Sequence, residues 1–216
     1  MRPLLLVLLV LGLAAPAQAD EAPTVSSVLE KMHASYKGVK AVRAAFVQTS
    51  TGMSYFEPLK QTGVIVLESP GKMRWEFETP RKQQYLSDGT TLWVVDEGDK
   101  TCTVFRSVDG MLQRFYGFLT GTADLKADFR VEVVTEETTV ADATALKLTP
   151  LQPDGSIESL RVFVSTKNHR VVGISMITPF GDRTDTVLSD VTTLDDVPDE
   201  QFAWSDREGF RVIQGD

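Results

Sequence analysis

The chain has 216 residues, enough for one domain with a core of its own, and its 30 acidic against 22 basic side chains give a formal charge of −8. That negative excess argues against nucleic-acid binding, which needs cations to neutralise phosphates, and against electrostatic adhesion to anionic lipid. The only cysteine is Cys102, so an internal disulfide is excluded.

The first segment reads as a leader. Met1-Arg2-Pro3 gives a short positive start, Leu4 to Leu13 is apolar apart from Gly12, and Ala17-Gln18-Ala19 is a small-residue cleavage site. This is the pattern of a secretory signal peptide over residues 1–19, with a single mature domain expected over 20–216. The apolar run falls short of the roughly 20 residues that span a bilayer. The residue after the cut is Asp20, not a cysteine that could be lipidated, so a free rather than tethered protein is expected.

Next, Val25, Val28, Leu29, Met32 and Tyr36 recur at steps of three and four, which predicts an amphipathic helix over Thr24–Tyr36 with Thr24 as N-cap and Gly38 as stop. Period-two alternation then takes over. In Lys72 to Glu78, Met73, Trp75 and Phe77 point one way and the charged residues the other. Similar runs are Val42–Thr49, Gly63–Glu68, Gln83–Leu86, Thr91–Val95, Thr101–Arg106, Phe129–Thr135, Ala145–Thr149, Leu160–Ser165, Val171–Thr178 and Thr184–Val191. Turn residues separate them, as in Ser69-Pro70-Gly71 and Pro153-Asp154-Gly155. Many short strands at even spacing predict a mainly β protein whose sheet curls into a barrel or sandwich. Only Val108–Thr120 breaks the rhythm, with Met111, Leu112, Phe115, Phe118 and Leu119 on one helical face.

Catalytic equipment is sparse. His33 falls on the first helix and His169 in a hairpin turn, with no metal-ligand spacing and no partner for a Cys102 nucleophile. No nucleophile elbow, phosphate loop or dinucleotide fingerprint is present. The acidic stretch Asp195-Asp196, Asp199-Glu200 is most simply a solvated loop. The apolar faces say more: Phe46, Met73, Trp75, Phe77, Tyr85, Trp93, Met111, Phe115, Phe118 and Met176 crowd the dry positions. An ordinary packed core and a barrel held open around a cavity both fit this pattern, and composition does not separate them.

The run from Gly63 to Val95 does. Gly63-Val64-Ile65-Val66-Leu67, Pro70, Met73-Arg74-Trp75, Thr79-Pro80 and Ser87-Asp88-Gly89-Thr90-Thr91-Leu92-Trp93 resemble the core signature of the outer-membrane lipoprotein carrier family, LolA. Phe46-Val47-Gln48, Phe202-Ala203-Trp204 and Gly209-Phe210-Arg211-Val212 resemble it more weakly. The resemblance implies an unclosed antiparallel β-barrel of about eleven strands, with helices as a lid over an apolar cavity. It implies a periplasmic chaperone, not an enzyme and without a cofactor, that takes lipoproteins from an inner-membrane ABC-type exporter to an outer-membrane receptor resembling LolB. The implied lipid-binding wall is Phe46, Ile65, Leu67, Met73, Trp75, Phe77, Tyr85 and Trp93, faced by Met111, Leu112, Phe115 and Phe118 from the lid. A monomer without stable membrane insertion is expected. Two departures stand out. Ser69 occupies the place of a family arginine that helps hold the lid, with Lys72 or Arg81 as candidate substitutes, and Arg207-Glu208-Gly209 lacks the family's proline. Alternatives using the same half-barrel are a lipid or lipoprotein sensor and a carrier of another amphiphile such as a glycolipid.

Overall fold

The computed structural model describes residues 22–106, 117, 119–120, 123–134, 140–152 and 155–215. Helix α1 (Val25–Tyr36) forms where the three-and-four spacing places it, and the Thr24 hydroxyl accepts from the Ser27 N–H at its start. Gly38, at φ +78°, follows its last turn. Val28, Leu29, Met32 and Tyr36 form the buried stripe that fixes which side of α1 faces inward.

All eleven alternating segments are antiparallel strands: β1 (Ala41–Thr51), β2 (Leu59–Glu68), β3 (Lys72–Thr79), β4 (Gln83–Asp88), β5 (Leu92–Asp96), β6 (Thr101–Phe105), β7 (Phe129–Val134), β8 (Ala143–Pro150), β9 (Ser159–Ser165), β10 (Val171–Ile177) and β11 (Arg183–Leu194). A twelfth strand, β12 (Arg211–Gln214), runs parallel to β6. The spatial order is β12-β6-β5-β4-β3-β2-β1-β11-β10-β9-β8-β7, so the sheet is a single unclosed surface with β12 and β7 at its edges. A short helix, α2 (Leu125–Asp128), precedes β7, and a 3-10 turn spans Asp199–Gln201.

Cross-strand register decides what each face carries, because directly opposed residues point to the same side. Val42–Leu67–Met73, Ala44–Ile65–Trp75–Tyr85 and Leu188–Phe46–Gly63–Phe77 are three such rows, and all three contribute to the apolar cluster that the stripe of α1 also joins. Gly63 is required in its row. A Cβ there would collide with the Glu76 carbonyl oxygen and come within 2.9 Å of the Phe46 ring.

On the other side of the sheet, the chain after β11 folds back over β1–β6. Phe202 and Val197 pack on Ala41 and Val66, while Trp204 and Phe210 pack against Leu86, Val95 and Cys102. The strand β12 then ties this cover to β6 through backbone hydrogen bonds.

Candidate functional site: the concave apolar face

Six of the wall residues expected from sequence, Phe46, Ile65, Leu67, Met73, Trp75 and Phe77, are buried in one cluster. Tyr85 packs against them and is less enclosed. The Phe46 ring meets Trp75 and Phe77 edge-on at 5.6 and 5.1 Å, Trp75 and Phe77 stack at 5.9 Å, and Tyr85 stands edge-on to Phe77 at 5.9 Å. These are the offset arrangements that ring quadrupoles favour. Burial pushes the Tyr85 hydroxyl above the usual tyrosine range, and the Asp96 charge adds to the effect.

Trp93 is not part of this wall. Tyr85 pairs with Val94, so the inward position on β5 belongs to Val94, and Trp93, opposed to Leu86, points outward into the cluster around Val95 and Cys102. The alternation of β5 alone does not fix its phase, because Leu92, Trp93, Val94 and Val95 are all apolar. Met111, Leu112, Phe115 and Phe118 lie outside the described residues. From that segment, Leu119 is buried in the same cluster as the wall.

The aromatic wall continues into an aliphatic one: Leu146 and Leu148 on β8, Leu160, Val162 and Val164 on β9, and Ile174 on β10. Sequence reasoning placed these strands without naming their inward side chains. The alternation of Leu146 with Leu148 and of Leu160 with Val162 was the available signal.

Helix α1 packs its apolar stripe into this cluster. Among the described residues its polar ties to the rest of the fold run through side chains. The Tyr36 hydroxyl donates to the Leu119 carbonyl at 3.1 Å and accepts from the Val171 N–H at 3.0 Å. Burial raises the Tyr36 pKa, so the hydroxyl remains a donor at neutral pH. The Ser35 hydroxyl reaches the His169 carbonyl at 3.1 Å, and Lys126 reaches the Ser26 hydroxyl at 3.3 Å. Toward its N-terminal end, a cleft of about 610 Å³ separates α1 from β8 and β9. Thr24, Lys31, Thr144 and His169 line it, and so do Val28 and Val164, both members of the apolar cluster. The cleft therefore borders the apolar cluster on the side of β8 and β9.

Both cations that could replace the family arginine at Ser69 are engaged elsewhere. Lys72 binds Glu68 at 2.7 Å and Asp199 at 2.6 Å, and Arg81 binds Asp96 at 3.1 Å and Asp99 at 2.5 Å. Arg74 pairs with Glu76 at 2.6 Å on the outward side of β3. His33 is exposed, with Nε2 3.4 Å from the Ala123 carbonyl oxygen. Burial pushes the Cys102 thiol up to about 11, the reverse of what a thiolate nucleophile requires. Among the described residues, no three His, Cys, Asp or Glu side chains are grouped to hold a metal ion.

The family model described as "Outer membrane lipoprotein carrier protein LolA" matches residues 37–205. The chain belongs to the LolA family. An outer-membrane lipoprotein carrier protein of Chromobacterium violaceum is 27% identical over 95% of this chain and 93% of its own length. One of Chromohalobacter salexigens is 29% identical over 95% of this chain and 92% of its own. Among solved structures, a LolA superfamily protein from Nitrosomonas europaea aligns at a TM-score of 0.44 and 16% identity, covering 85% of this chain and 99% of that one.

Proposed function

We propose that this protein is a periplasmic carrier that shields the acyl chains of lipoproteins between the inner and the outer membrane. The observation that carries the reading is the concave face of an unclosed sheet, lined by Phe46, Met73, Trp75, Phe77 and Tyr85 and covered by a helix, in a chain of the LolA family. Residues 1–19 act as the cleaved export signal, and the domain from residue 20 works in the periplasm. An inner-membrane ABC-type exporter loads the carrier and a LolB-like receptor unloads it.

The physical need is simple. A buried methylene is worth about 0.8 kcal/mol, so one long acyl chain exposed to water costs on the order of 10 kcal/mol. A lipoprotein bears several and does not cross water alone. The wall has to accept floppy hydrocarbon of variable shape without holding it too tightly for release. Rings and methionine meet that demand, because they offer broad contact and few directional bonds. At rest, α1 fills the place of the cargo, and its own apolar stripe keeps the face dry. Cargo displaces α1, exchanging one apolar partner for another, so opening costs little. No covalent step is involved: the Cys102 thiol is protonated and buried.

The test is to purify the mature protein from its host and identify what co-purifies by mass spectrometry, then to deplete it in cells. Bound lipoproteins, and lipoproteins stranded at the inner membrane after depletion, are expected. Normal lipoprotein sorting with an altered envelope stress response would instead favour a sensor.

A further inference from the structure

The loops joining β1 to β2 and β10 to β11 stand together at one end of the sheet. Thr51, the last residue of β1, pairs with Arg183, the first of β11. Asp182, in the second loop, accepts from the backbone N–H of Ser54 in the first at 3.1 Å, and also from the Ser54 hydroxyl. The Ser54 bonds hold the Asp182 carboxyl below its usual range, so the tie is charged at neutral pH. This end lies away from the Tyr36 anchor, which meets β10 at its first residue, Val171, whereas the loop leaves β10 after Ile177.

Three large apolar side chains project from the two loops. Phe56 is 103% exposed, Met53 93% and Phe180 78%, well above the next most exposed large apolar side chain among the described residues, Leu151 at 53%. Full exposure of two phenylalanines and a methionine on adjoining loops has no role in holding this fold. The charges beside them cancel. Residues 52–60 carry Glu57 and Lys60, and residues 178–183 carry Asp182 and Arg183, in a chain whose formal charge is −8.

We infer that these paired loop tips are a docking surface for a lipid bilayer, on which the carrier rests at a membrane. The inference rests on the carrier function and adds a membrane contact to it. Separate convex side chains suit a fluid interface, which closes around each of them, whereas a folded protein partner would need a matching pocket for every one. Phenylalanine and methionine partition into the boundary between headgroups and acyl chains. The neutral tip escapes the repulsion that the acidic remainder of the molecule meets at an anionic surface. The Ser54–Asp182 tie makes the two loops one platform, so the three side chains enter together.

The test is flotation of the mature protein, residues 20–216, with vesicles of phosphatidylethanolamine and phosphatidylglycerol. The wild type is expected to float with the vesicles. The triple variant Met53→Ser, Phe56→Ser, Phe180→Ser is expected to lose about tenfold or more of the bound fraction, while Leu151→Ser binds as the wild type does. Because the replaced side chains are exposed, the melting temperature should not move, and uptake of detergent-solubilised lipoprotein should be unchanged. That uptake assay separates the two claims: a failed carrier reading leaves the wild type without uptake, whatever the vesicles do. A wild type that stays out of the lipid layer, or a triple variant that floats as well as the wild type, would overturn the inference. So would binding restricted to native membranes with their proteins intact, which would give the tips to a protein partner.

Discussion

The two faces of β3–β5 carry similar aromatic wealth under different covers. Inside, Trp75, Phe77 and Tyr85 belong to the apolar cluster that α1 joins, and the polar ties of α1 among the described residues run through the side chains of Tyr36, Ser35, His33 and Ser26. Outside, Trp93, Leu86 and Cys102 lie under the C-terminal segment, which is stitched to β6 as the strand β12. There the Arg207 guanidinium sits 4.2 Å from the Trp204 ring and 4.3 Å from the Phe210 ring and pairs with Glu97 at 2.8 Å. A backbone ladder is lost only by unfolding an edge, whereas a helix held by side chains leaves as a unit. Apolar composition therefore does not tell a site from a core; the bonding of the cover does.

This difference can be broken from either side. The largest expected effect is on the outer cover. Phe202 is 0% exposed against Ala41 and Val66, and Phe202→Ala should lower unfolding stability by about 3–5 kcal/mol in denaturant titration, with cargo uptake by the folded fraction unchanged. Loss of uptake without loss of stability would reverse the roles of the two faces. On the inner face, Trp75→Glu places a charge where hydrocarbon should lie. Acyl uptake should fall by at least about tenfold, ~1.4 kcal/mol, while the strand signal in circular dichroism persists.

Tyr36→Phe sharpens the comparison by loosening the inner cover alone. It leaves the Leu119 carbonyl and the Val171 N–H without the hydroxyl, at a cost of about 1–2 kcal/mol. Amide exchange along residues 25–36 should quicken by a factor of roughly 5–30, with exchange in β5 and β6 unchanged. The mildest test leaves the sequence untouched. Burial beneath the outer cover favours the neutral Cys102 thiol, so its thiolate is scarce below a pH of about 11. A thiol reagent at pH 8 should label it only after denaturant is added. Rapid labelling of the folded protein would mean that the outer cover opens as readily as the inner one.

Much of this organisation is legible in the chain itself. Alternation located eleven strands, and the spacing of Val28, Leu29, Met32 and Tyr36 located α1 with its Thr24 cap. Inward positions were readable where charged neighbours fix the phase, as around Trp75 between Arg74 and Glu76. Trp93 was not, because β5 is apolar at four successive positions and only its pairing with β4 sets the side. The strand β12 was missed for another reason. Its four residues are all exposed and show no alternation in burial, and its partner β6 lies about a hundred positions away in a parallel register. The hydroxyl of Tyr36 was likewise silent, since helical spacing marks it as apolar stripe and its partners Leu119 and Val171 are remote in sequence.

The protein's three tryptophans allow the central claim to be read directly, since Trp75 faces inward and Trp93 and Trp204 outward. Load the carrier with a lipoprotein whose acyl chains are brominated, and follow quenching in Trp93→Phe/Trp204→Phe, which keeps only Trp75, and in Trp75→Phe, which keeps the other two. Strong quenching in the first protein and none in the second is expected. Quenching confined to the second would place the hydrocarbon on the outer face and contradict the assignment.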